Sequence, residues 1–279
     1  MMILESFYQS VKSILPQEVR KIIKEKSASD YCLLDVRQPS EYEQGHLPGA
    51  KLIPLPELEP KIDTLKPNKM TIVYCRSGNR SSSAVGMLNG ASMDDVYNME
   101  GGILAYNGIV AAGPPEAGVF CFPENMSPEQ LIAMAWYIED GSKSYVGTIK
   151  EMSQNIDIKD ILTILYEHKV AHKKTLENLY EKISGESIRD GFPTYVLKKP
   201  PKIVMSGCVN VPDAVHWSKD KDASEILDFM MALEANTFDL YLKLGREVKS
   251  ERARSVFMQL SEEEAGHLDK LSSVFEKTL

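Results

Sequence analysis

The sequence predicts two domains of different class: an α/β domain on a parallel sheet flanked by helices, then an all-α four-helix bundle. Three observations carry this. The apolar run Thr71-Ile72-Val73-Tyr74 ends on Cys75-Arg76-Ser77-Gly78-Asn79-Arg80, and Ser81-Ser82-Ser83-Ala84-Val85-Gly86-Met87-Leu88 behind it reads as a helix, giving a strand–loop–helix unit. Between residues 111 and 128 the texture changes to Ala-Ala-Gly-Pro-Pro-Glu-Ala-Gly and then Phe120-Cys121-Phe122-Pro123, which reads as a linker. Beyond it, apolar residues recur at helical spacing. The expected boundaries are a first domain over 1–112, a linker over 113–126 and a second domain over 127–279.

The elements follow in order. Met1-Met2-Ile3-Leu4-Glu5-Ser6-Phe7 lacks a cationic start and a sustained apolar core, so no signal peptide is expected there. A strand over Tyr31 to Leu34 ends on Asp35, which points Asp35 toward the same sheet edge as Cys75. Arg37 and Glu41 are four apart and are expected to pair with each other to pin a loop or helix start. His46 sits in a Gly-His-Leu-Pro-Gly turn and is expected to be structural. In an open α/β sheet, ligands bind at the carboxyl edge of the strands. There the loop amides and the first donors of the following helix converge on whatever sits in the bend. Arg76 and Arg80 add positive charge, and a thiol in that field loses its proton readily to become a nucleophile.

Three segments in order carry a resemblance over residues 10–112. They are Leu33-Leu34-Asp35-Val36-Arg37-Gln38-Pro39-Ser40-Glu41-Tyr42-Glu43-Gln44-Gly45-His46-Leu47-Pro48-Gly49-Ala50, the Cys75–Arg80 loop, and Tyr97-Asn98-Met99-Glu100-Gly101-Gly102-Ile103. Together they resemble the rhodanese family of sulfurtransferases. The resemblance implies a catalytic Cys75 that takes sulfane sulfur as a persulfide, from thiosulfate or a persulfide donor, and passes it to a thiol, cyanide or protein acceptor. It requires no cofactor. Arg76, Ser77, Gly78, Asn79, Arg80 and Asp35 are the expected substrate-binding residues. Four residues separate Cys75 from Arg80, as in sulfur-transferring members. Phosphatase and arsenate-reductase relatives carry one more, so a phosphatase is not expected.

In the second half, Ser127-Pro128-Glu129-Gln130 supplies an N-cap, a first-turn proline and a capping-box glutamine. Leu131, Met134, Ala135, Ile138, Tyr145, Val146 and Ile149 line one helix face. Ile161, Leu162, Leu165, His172, Leu176 and Leu179 line a second helix. After a polar, Gly/Pro-containing stretch from Gly185 to about Asp222, two further helices are expected near Ser224–Leu244 and Glu251–Phe275. The halves repeat. Glu139 precedes His172 by the same interval as Glu234 precedes His267, and Leu165 and Leu176 align with Leu260 and Leu271 under one shift. Glu264 stands three residues before His267 and so shares its helix face.

This pattern is similar to the rubrerythrin branch of the ferritin-like proteins over 127–277. The resemblance implies a core metal pair held by a glutamate from each of two helices and a Glu-x-x-His from each of the others. Carried over by position, Glu139, His172, Glu234, Glu264 and His267 are the expected metal ligands. The chain departs from the pattern where Lys169 replaces a ligand glutamate and where Thr237 replaces a further one. Two outcomes remain: Lys169 pairs with Glu234 or Glu264, replaces the metal's charge and leaves a metal-free bundle, or His168 turns inward beside His172 and an atypical iron, zinc or manganese site forms. No rubredoxin-like Cys-x-x-Cys pair is present, so a peroxidase or oxidase of the rubrerythrin type, assisted by the first domain, would need an external electron donor. A non-enzymatic sulfur- or oxidant-sensing module is the other alternative.

The composition bounds the rest. The 279 residues are 43% hydrophobic, enough for a substantial core. Cys32, Cys75, Cys121 and Cys208 are scattered, which argues against a disulfide framework and for a reducing cytoplasm. A formal charge of −8 argues against nucleic acid, and no apolar stretch approaches the ~18 residues of a membrane span. A homodimer is expected, as the commonest closed assembly.

Overall fold

Alternation of short apolar runs with helical segments yields, in the computed structural model, two compact units, Met1–Pro115 and Glu116–Leu279. The structure describes residues 11–115, 126–154, 156–198, 203–248 and 250–278. The N-terminal stretch 1–10, most of the expected linker and Cys121 lie outside the described residues.

The first unit runs β1 (Ser13–Ile14), α1 (Pro16–Glu25), β2 (Tyr31–Asp35), α2 (Pro39–Gln44), β3 (Lys51–Leu52), β4 (Met70–Tyr74), α3 (Asn79–Gly90) and β5 (Val96–Met99). The strands form one parallel sheet in the order β1-β5-β4-β2-β3. Both β2 and β4 are near-continuously apolar because a parallel sheet is covered on both faces. Leu33, Leu34, Ile72 and Val73 are fully buried. Adjacent strands β2 and β4 run in register, Asp35 opposite Tyr74, so the residues after both emerge at one sheet edge. Pro16 and Pro39 open α1 and α2, where a missing N–H costs nothing. The N-terminal cap of α3 is Gly78 at φ +99°, a left-handed conformation that lets the chain turn sharply from the Cys75 loop into the helix.

The second unit runs α4 (Pro128–Met152), α5 (Ile156–Ser184), α6 (Thr194–Leu197), β6 (Val204–Met205), β7 (Val209–Asn210), α7 (Val211–Ser218), α8 (Ala223–Glu247) and α9 (Glu251–Thr278). The predicted capping box at Ser127 is formed: its hydroxyl accepts from the Gln130 amide at 3.3 Å, and the Gln130 side chain accepts from the Ser127 amide at 3.0 Å. Helix α4 packs along α5, α8 along α9, and α5 touches α9.

Two apolar clusters fill this unit. One includes Ile132, Ile138, Leu176, Leu240, Tyr241 and Leu260, and the other includes Tyr145, Ile149, Leu165, Leu233 and Leu271. On every long helix the polar residues Glu139, Lys169, His172, Glu234 and Glu264 fall between the two clusters, and all five are buried.

The stretch 185–222, expected as a polar connection, contains α6, the antiparallel β6–β7 pair and α7. It is fixed to the long helices by close contact. A Cβ on Gly141 would stand 2.1 Å from the Val204 carbonyl oxygen, so only glycine lets β6 approach α4. Ser206 lies 3.2 Å from the Ser142 hydroxyl and accepts from Thr237 at 2.5 Å. Among the described residues, no helix is long and apolar enough to cross a membrane.

Candidate functional site

At the carboxyl end of β4 the chain must bend tightly, and three glycines allow it. Gly78 caps α3, while Gly101 and Gly102 carry the chain from β5 past the Cys75 loop at φ +69° and +59°. A Cβ on Gly102 would stand 2.4 Å from the Cys75 carbonyl oxygen. That contact lets the Ile103 and Leu104 amides donate to the Cys75 and Arg76 carbonyls at 2.9 and 3.1 Å, fixing the start of the loop.

Cys75 is 1% exposed and free. Its Sγ accepts from the Gly78 amide at 3.2 Å. The Ser81 hydroxyl, one turn into α3, lies 3.4 Å from Sγ and 3.1 Å from the Gly78 carbonyl, and its single proton serves one of them at a time. Burial pushes the thiol up, but the Ser81 hydroxyl and the Ser81, Ser77 and Gly78 amides outweigh it and hold the pKa below its ordinary 9.0. Arg76, Ser77 and Asn79 are exposed around this buried sulfur.

The arginines act differently from expectation. Arg80 feels the Cys75 charge, yet its guanidinium donates to Glu41 through Nη1 and Nη2, both at 2.7 Å. This fork holds the Glu41 carboxyl down at about 2. The expected Arg37–Glu41 pair is therefore corrected. Arg37 precedes α2 and turns back onto Asp35, its Nη2 donating to Asp35 Oδ2 at 2.6 Å and to the Gly45 carbonyl at 2.7 Å. Asp35 is corrected too as a substrate-binding residue: it is fully buried, and both its oxygens accept from Arg37. His46 is buried, stacked on Tyr42 with its Nδ1 at the Tyr42 carbonyl. Ser81, by contrast, was missed as a site residue, since a serine run gives no sign of which hydroxyl reaches the sulfur.

The four long helices gather a second constellation. The Lys169 ammonium, fully buried, lies 2.8 Å from Glu234 Oε2 and 3.3 Å from both Glu139 Oε2 and Glu264 Oε1. Burial opposes its charge, but the three carboxylates outweigh that and raise the pKa well above the ordinary lysine value. His172 Nδ1 stands 3.2 Å from Glu264 Oε1 and 3.5 Å from Glu139 Oε1. Despite burial, those carboxylates lift its pKa to about 10. Burial raises Glu234 to about 8, reinforced by Glu264 against the pull of Lys169. Tyr241 donates to Glu139 Oε1.

Glu139, His172, Glu234 and Glu264 thus converge as the repeat predicted. His267 lies at the edge, its Nδ1 3.8 Å from Glu264 Oε2. His168, also expected as a ligand, stacks on the His267 ring at 3.5 Å. Glu139, His172 and Glu264 each offer one atom within 4.8 Å of the others, a donor set that suits one divalent ion. Both His172 ring nitrogens are buried without a hydrogen-bond partner; a bound ion would displace the ring proton that the neighbouring carboxylates otherwise favour. Cys208 takes part in a disulfide, against the expectation of no such bond.

The parallel sheet, the short cysteine loop at its carboxyl edge and the glycine pair that props it define a thiol-centred α/β domain. Residues 15–108 match the rhodanese-like domain model, and the chain belongs to the rhodanese-like family through them. A sulfurtransferase of Allochromatium vinosum is 34% identical over 77 residues, 28% of this chain and 72% of that protein. The uncharacterized protein YqhL of Bacillus subtilis is 35% identical over 80 residues, 29% of this chain and 64% of its own length. A rhodanese-like domain protein from Staphylococcus aureus, known from its crystal structure, is 30% identical over 35% of this chain and 92% of that chain, with a TM-score of 0.33. The chain thus spans less than two thirds of the Bacillus relative, and these matches all concern its N-terminal part.

Proposed function

We propose that this chain is a sulfurtransferase that carries sulfane sulfur as a persulfide on Cys75. The observation that carries the reading is the sulfur's own environment, with the Gly78 amide at 3.2 Å, the Ser81 hydroxyl at 3.4 Å and a lowered pKa. The Cys75 thiolate attacks the outer sulfur of thiosulfate. An Sγ–S bond forms, the S–S bond of the donor breaks, and sulfite leaves with the electron pair. The outer sulfur of the anionic persulfide then forms a bond to an acceptor nucleophile, a thiolate or cyanide, and Cys75 departs as the thiolate. The loop amides hold negative charge on sulfur in both steps. Exposed Arg76 favours approach of a dianionic donor. The test is the intact mass of the full chain after incubation with thiosulfate. The expected gain is one sulfur atom, located on the peptide that contains Cys75; a chain that gains none contradicts the reading.

The second unit reads as a ferritin-like four-helix domain. Its support is the polar layer that α4, α5, α8 and α9 build from positions repeated between the halves. Glu139, His172 and Glu264 would hold iron, zinc or manganese, which when bound supplies Lewis acidity or, for iron, electron transfer. A rubrerythrin-type peroxidase or oxidase is the second reading, and it predicts peroxide turnover that survives Cys75→Ser. A homodimer completes the proposal.

A further inference from the structure

Three carboxylates buried in one layer need positive charge close by. Two groups on α5 stand among them. Lys169 Nζ contacts Glu234 Oε2, Glu139 Oε2 and Glu264 Oε1 at 2.8, 3.3 and 3.3 Å. One turn further along the helix, His172 Nδ1 faces Glu139 Oε1 at 3.5 Å and Glu264 Oε1 at 3.2 Å, with no hydrogen bond to either. Glu139 therefore spans two positions, giving one oxygen to the ammonium and the other to the histidine side. Glu264 spans them as well, its Oε1 facing both. A carboxylate pair shared in this way is how two neighbouring cations are held about 3.5–4 Å apart in a dinuclear centre.

We propose that Lys169 is one of those two cations: its ammonium permanently fills one position of the centre, so the cluster takes a single divalent ion, on Glu139, His172 and Glu264. The ammonium does two things that a ligand glutamate at this position would not. It supplies one positive charge beside Glu234, whose ion-pair partner among the described residues is this ammonium, and it removes the carboxylate that a second ion would need. The ammonium donates to Glu234 on α8 and Glu264 on α9, and Glu139 on α4 stands beside it at ion-pair distance without a hydrogen bond. The single ion left has one imidazole and two carboxylates, a set that suits zinc, ferrous iron or manganese. The substitution thus converts the charge arithmetic of the site without emptying it.

The inference rests on reading this cluster as a metal centre, and ion counting separates the two claims. The full-length chain is dialysed anaerobically against excess ferrous iron or, separately, zinc, and its metal content is measured with His172→Ala as background. The expected result is one ion above background for the wild-type chain and two for Lys169→Glu. No ion above background in the wild type overturns the metal reading itself and the proposal with it. Two ions in the wild type leave the metal reading standing and overturn the role of Lys169, as does a folded Lys169→Glu that still takes one. Should Lys169→Glu fail to fold, the wild-type count alone decides between none, one and two.

Discussion

Ser81 places its hydroxyl 3.4 Å from the Sγ of Cys75, six residues earlier in the chain, because the left-handed Gly78 turns α3 directly back over the loop. With the Gly78 amide it forms the hydrogen-bonding shell that favours the thiolate over the thiol. The thiolate therefore owes its stability mainly to oriented neutral donors.

Replacing Ser81 with alanine tests that shell. Loss of a donor to the thiolate raises the Cys75 pKa, so less nucleophile is present near neutrality. Sulfur transfer at pH 7 is expected to fall about three- to tenfold and to recover as the pH rises through the new pKa, since one pKa unit is a tenfold change in thiolate. The pH profile of kcat/KM checks this, and an unshifted profile shows that the hydroxyl serves the Gly78 carbonyl instead.

Glu41 and Arg80 join α2 to α3 across the sheet edge through a two-point ion pair. The carboxyl falls from its ordinary 4.5 to about 2 on folding. A lowered folded pKa means stability that is fully present above 4.5 and lost as the pH falls from there toward 2. Both groups are about one third exposed, so solvent screening limits the pair to about 0.5–1 kcal/mol. Denaturation of the wild-type chain and Glu41→Gln is expected to differ by that amount at pH 7 and to converge in acid. A difference that persists in acid assigns the loss to packing.

The parts visible in the sequence were those set by local pattern or by repetition. Cys75 declared itself because a buried strand ends on it and a glycine-bearing loop follows. The core carboxylates declared themselves because Glu139 and Glu234 recur under the shift that also relates His172 to His267, and the same shift sets Lys169 against Glu264 and so exposed the lysine as the exception. What stayed hidden depends on partners far along the chain. Arg37 and Glu41 have helical spacing, but Arg37 lies outside α2, and Glu41 finds Arg80 across the sheet edge. The stretch before α8 looked unstructured because its composition is polar. Its order comes from β6 lying against Gly141 and from Ser206 bonding to Ser142 and Thr237, none of which local composition encodes. His168 and His172 sit one turn apart, and both stack on His267 from the far end of the chain, a neighbour that local spacing does not reveal.

The central claim is that sulfur passes through Cys75, and steady-state thiosulfate:cyanide sulfur transfer by Cys75→Ser tests it most directly, with Cys32→Ser as the comparison. A serine hydroxyl cannot form the persulfide, so the account predicts a loss of at least about a thousandfold, to the rate without protein, while Cys32→Ser keeps most of the activity. A Cys75→Ser chain that turns over near the wild-type rate would contradict the account.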